Sequence, residues 1–88
     1  GNDRNGTVTG NDPTVTIALG DTLNFNVDAP GHPFYLKTQS GTGTANQVSG
    51  ATNQGTENGT VTWTPSATGT YYYICSLHGG MVGTIIVQ

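Results

Sequence analysis

An all-β fold is predicted, a Greek-key two-sheet β-sandwich of about seven short strands, and three observations predict it. The chain is rich in Thr and Asn and carries 14 Gly, a composition that favours strands and tight turns over helices, which draw on Ala, Leu, Glu and Lys. Apolar residues alternate with polar ones in several short runs, the period-two signature of a half-buried strand. Gly, Pro and Asp break those runs at the intervals expected of sandwich turns. An 88-residue chain has room for one domain with one modest core. Residues 1–88 are therefore read as a single domain, with residues 1–6 as a flexible N-terminal segment.

The first convincing strand is PTVTIALG, with Val15, Ile17 and Leu19 on one face and Gly20-Asp21 as the turn. DTLNFNVDAPG follows, presenting Leu23, Phe25 and Val27 together. After Pro30-Gly31, HPFYLKT reads as a third strand, Phe34 and Leu36 on one side, Tyr35 and Lys37 on the other. Residues 39–58 form a polar, Gly- and Thr-rich tract expected to be a long surface excursion, with one short edge strand around Ala45 to Val48. GTVTWTP turns Val61 and Trp63 inward and stops at Pro65. In GTYYYIC, Tyr71, Tyr73 and Cys75 share a face, and Tyr72 and Ile74 are expected to point outward. GTIIVQ closes the sandwich. Phe25, Trp63, Tyr71 and Tyr73 are assigned to the core, and Tyr71, two residues after Gly69, suits a tyrosine corner.

Charge narrows the partners. The net charge is −3, with Arg4 and Lys37 the only cationic side chains and both expected to be solvated. Such a chain has no basic surface with which to neutralise phosphates, so nucleic acid is not an expected partner. No run approaches the roughly 20 apolar residues of a membrane span. A single Cys cannot form a disulfide within the chain. The chain opens at Gly1, which leaves open whether it is a whole mature protein or a domain of a longer one.

The chemistry gathers near the end. The only Cys, the only Met and one of two His fall in CSLHGGM, as Cys75, His78 and Met81. Each taken alone has a plainer reading: a lone Cys is more often a small buried residue, a lone His a satisfied surface group, a Met core filler. Their joint occurrence on one glycine-bearing loop points to a metal. Zinc favours more Cys or His and binds thioether poorly, while magnesium and calcium want oxygen. Copper remains, held by one thiolate, two imidazoles and a weak thioether. The second imidazole must come from elsewhere, and His32 is the one candidate. If the HPFYLKT strand starts at the edge of the sandwich where GTYYYIC ends, the four donors converge at one pole.

These motifs carry a resemblance. LGDTLNF before the first ligand, PGH with His32, GTYYYIC running into C-x2-H-x2-M, and VGTIIV at the close together resemble the cupredoxins, small type 1 blue copper proteins of the plastocyanin and azurin superfamily. The short ligand loop is similar to that of amicyanin. The resemblance implies His32, Cys75 and His78 as equatorial ligands of one copper and Met81 as the axial one. It also makes Gly31 a candidate for a weak backbone carbonyl contact, as in azurins. One feature departs from the pattern: Pro33 stands where many cupredoxins have Asn, and it has no N–H to offer the sulfur.

The implied function is one-electron transfer by Cu(II)/Cu(I) cycling. Transient redox protein partners would dock on a flat, uncharged patch around Leu77, His78, Pro30 and Pro33. The protein is expected to be a monomer, exported to a periplasm, a thylakoid lumen or the cell exterior. No enzyme is expected: Ser76 beside Cys75 and His78 lacks an acid to orient the imidazole. Two rivals are a copper module for sensing, storage or delivery, and a metal-free sandwich of a larger surface protein.

Overall fold

The computed structural model describes residues 2–3, 6–7, 14–28, 30–41, 43–75 and 82–88. Among them every regular element is a strand: β1 (Asn2–Asp3), β2 (Gly6–Thr7), β3 (Val15–Ile17), β4 (Leu23–Asp28), β5 (Phe34–Lys37), β6 (Asn58–Trp63), β7 (Gly69–Cys75) and β8 (Val82–Val87). The first two pair only with each other. The other six build the sandwich, one sheet in the order β3-β8-β7-β5 and the other β4-β6. From β3 onward the chain changes sheet at every connection until β7 and β8, which are antiparallel neighbours. No helix among the described residues is long and apolar enough to cross a membrane.

The alternation seen in the sequence fills the space between the sheets. Val15, Ile17, Leu36, Tyr73, Ile85 and Val87 from the larger sheet meet Leu23, Val27, Val61 and Trp63 from the smaller. Leu36, Val61 and Ile85 are fully buried, and each such side chain contributes about 1.5–3 kcal/mol by leaving water. At one end the Trp63 and Tyr71 rings meet edge-on at 4.9 Å. The Tyr71 hydroxyl there donates to the Ala67 carbonyl at 2.9 Å, the backbone bond of a tyrosine corner. The outer face of β4-β6 explains the abundance of Asn and Thr. Thr62 donates to Asn24 at 2.8 Å, Thr60 to Asn26 at 3.1 Å, and the Thr22 and Thr64 hydroxyls share a bond of 2.7 Å. This polar ladder takes the place that charges occupy on most exposed sheet faces.

Several expectations are corrected. β3 ends at Ile17, and Leu19 is 49 % exposed. The cause is the turn that follows, closed by Asp21 N–H to the Ala18 carbonyl and by Ala18 N–H to the Asp21 carboxylate. The strand around Ala45 to Val48 contracts to a single bridge, Lys37 with Gln47, because Asn46 takes a left-handed backbone (φ 60°) that extended chain does not allow. Lys37 is buried, not solvated: its ammonium donates to the carbonyls of Gly41 and Gly43 at 3.2 and 3.3 Å. Arg4 lies outside the described residues. Ile74 does not face solvent either; it is 2 % exposed, between Tyr35 of β5 and Val82 of β8.

The polar tract is more than a surface excursion. Its Val48 belongs to the core, and Ser49 accepts a bond from the Trp63 indole at 3.2 Å. Thr52 bridges to Thr62 of β6, while Gln54 and Gly55 bond to β5. The tract therefore joins the edge of one sheet to the edge of the other and closes that side of the sandwich.

Candidate metal centre

His32 lies in the β4–β5 connection, half-buried, two residues ahead of β5. A turn at Pro30 and Gly31 delivers it, with Gly31 at φ 79°, a conformation glycine adopts without a Cβ penalty. The Gly31 N–H donates to the Glu57 carboxylate at 2.6 Å. Pro33 is half-buried beside His32. β5 then begins at Phe34, whose Cα partner on antiparallel β7 is Cys75, the last residue of that strand. The start of β5 and the end of β7 thus share one end of the sandwich, which brings the backbone of His32 and that of Cys75 to the same pole.

Beneath this pole lies an aromatic floor drawn from both sheets. The Phe25 ring of β4 is 5.1 Å from Phe34 of β5 and 5.4 Å from Tyr73 of β7. Phe34 and Tyr73 stack at 6.0 Å with planes 24° apart. Gly83 faces Tyr73 across β7 and β8, and a Cβ placed on it would run into the Tyr73 ring. An apolar floor of this kind packs β4, β5 and β7 together beneath the His32 loop and the end of β7.

His78, Met81 and the Cys75 side chain lie outside the described residues, as does Leu77 of the expected docking patch. Among the described residues no three His, Cys, Asp or Glu side chains form a metal-binding group. Glu57 is the group that reading the sequence missed. It stands in the tract taken for a surface excursion, yet it is the only Glu of the chain and the only formally charged residue after Lys37, a signal that was legible. Its carboxylate, with the exposed Asp28 at the end of β4, also gives this pole two acids, so the expected uncharged patch has a charged border.

An all-β two-sheet sandwich with a His-bearing loop and a Cys-ended strand at one pole defines a cupredoxin-like protein. The model of the copper-binding proteins of the plastocyanin/azurin family matches residues 2–88, and the chain belongs to that family. Neither the curated proteins nor the solved structures provide a match. The donor set fits copper: a thiol, two imidazoles and a thioether exhaust the Cys, His and Met of the chain, and this soft, nitrogen- and sulfur-rich set suits copper better than zinc or the oxygen-seeking ions.

Proposed function

We propose that this protein carries single electrons between redox partners through one copper bound by His32, Cys75, His78 and Met81. The observation that carries the reading is the β5–β7 register, with Phe34 opposite Cys75, because it sets the His32 loop beside the end of the Cys75 strand. When bound, copper supplies the Cu(II)/Cu(I) couple, which thiolate and thioether bias toward Cu(I) while imidazole suits both states. The chain's own part is rigidity. Two packed sheets, an aromatic floor and a tied loop fix the His32 turn and the end of β7, so on this reading little needs to move there when the charge at the site changes. Half-buried His32 and Pro33 and exposed Pro30 offer a small docking area, adequate for the brief encounters of redox partners. A weak contact from the Gly31 carbonyl, action as a monomer and export from the cytoplasm belong to the same reading.

Absorption and electron paramagnetic resonance spectra after addition of Cu(II) test it. An intense blue or green thiolate-to-copper band is expected, and it should vanish in Cys75→Ser and be lost or strongly altered in His32→Ala. A colourless wild-type protein would refute the reading. A coloured protein with slow self-exchange, or one that gives up copper readily to a chelator, would favour storage or delivery.

A further inference from the structure

We propose that Glu57 is a positioning residue for His32, the end clasp of a hydrogen-bonded zipper between residues 54–57 and 31–36. The role assigned to His32 rests on the copper reading above; the zipper itself does not. Its bonds follow in order along β5 and the turn before it. Gly31 N–H donates to the Glu57 carboxylate at 2.6 Å. Phe34 N–H donates to the Thr56 carbonyl at 3.1 Å, and the Phe34 carbonyl accepts from Gly55 N–H at 2.7 Å. Leu36 N–H donates to the Gln54 side-chain oxygen at 2.8 Å, while the Gln54 amide nitrogen returns a bond to the Leu36 carbonyl at 2.9 Å. His32 sits between the Glu57 and Thr56 anchors.

The clasp is itself held. Asn53 and Gly55 both adopt positive φ, 58° and 87°, and with Thr56 N–H bonded to the Asn53 carbonyl at 3.1 Å they fold residues 53–56 into a tight turn. Asn53 also donates from its side chain to the Thr60 carbonyl at 2.8 Å. On the other side of Glu57, Asn58 opens β6 and pairs with Asp28 of β4. The carboxylate is therefore offered from a backbone anchored on both flanks to a loop that β5 does not yet include.

Energetics decide what this bond does. A charge-assisted bond is stronger than a neutral one, but Glu57 and Gly31 are both exposed and water competes for each group. The bond adds little to global stability. Its effect is local: it removes freedom from the turn that sets the direction of the first imidazole, and supporting groups of this type govern metal retention more than folding.

Two measurements on the full chain test the inference. In metal-free protein, water-exchange NMR should find the Gly31 amide exchanging at least tenfold faster in Glu57→Ala than in wild type, with the Ile85 amide and the urea midpoint unchanged. In copper-loaded protein, loss of copper to a Cu(I) chelator should be about tenfold faster in Glu57→Ala, and Glu57→Gln, whose amide oxygen can accept the same bond, should recover most of the difference. Both variants remove the charge, so the contrast between them isolates the bond. Gly31 exchange equal to wild type would overturn the zipper, and copper loss equal in Glu57→Ala and wild type, or equally fast in both variants, would overturn the positioning role. A wild-type protein that takes up no copper would overturn the copper reading and the role of His32, while the exchange experiment would still judge the zipper.

Discussion

Gly83 leaves room for the Tyr73 ring beside β8. Replacing it by Ala would gain about 0.5–1 kcal/mol of intrinsic backbone preference, yet the added methyl would enter space held by the ring. Phe25 and Phe34, at 5.4 and 6.0 Å, block the ring from swinging aside. Overpacking of about 1–3 kcal/mol therefore wins, and Gly83→Ala should lower the urea midpoint; an unchanged or raised midpoint would show that Tyr73 has another place to go. Pro33 acts through what it lacks. In the proposed copper site a residue with no N–H at this position cannot donate to the Cys75 thiolate, a bond that would stabilise the more negative, reduced state. Pro33→Ala should raise the reduction potential, and voltammetry of the copper-loaded pair checks the sign.

At the scale of elements, β5 is the edge strand of the larger sheet, and its outer side is covered by the polar tract, at Leu36 partly by a side chain in place of a strand. Gln54 both accepts from and donates to Leu36, so its primary amide stands in for a peptide group and masks an edge that would otherwise invite pairing with another chain. Gln54→Ala leaves the Leu36 N–H without that acceptor, while the carbonyl keeps its bond from Val48. A loss of about 1–3 kcal/mol is expected, together with faster Leu36 amide exchange and a greater tendency to associate; light scattering and exchange NMR check both. This strand also marks the boundary of what sequence patterns convey. Period-two alternation identified which residues of β4, β6 and β7 share a face, and Val61, Trp63 and Tyr73 are indeed buried. Alternation does not reveal whether the opposite face is covered, and so it does not show that Ile74 and Lys37 are buried. A polar tract without periodicity gives no hint that its Gln54 amide bonds to β5, 18 residues away, and its Glu57 carboxylate to the turn at Gly31, 26 residues away.

For the whole molecule, the sandwich closes only when the two ends of the chain meet. β3 pairs in parallel with β8, Val15 beside Ile85, a contact that spans most of the sequence. Loop closure over such distances must precede the contacts that reward it, so folding is expected on the millisecond-to-second scale of sandwiches, not in microseconds; stopped-flow refolding from urea measures it. The overall architecture was legible because composition, alternation and turn residues agree, and the candidate donors stand out in the sequence because Cys, His and Met are scarce. Long-range hydrogen bonds were not, since nothing in a local window encodes them. The same parallel pairing fixes where the tail leaves. β8 runs away from the His32 pole, and Gln88 ends it with bonds to Ile17 and Leu19. A leash attached after Gln88, whether to an electrode, a lipid or a second protein, would hold the domain by its far end and leave the His32 pole turned outward.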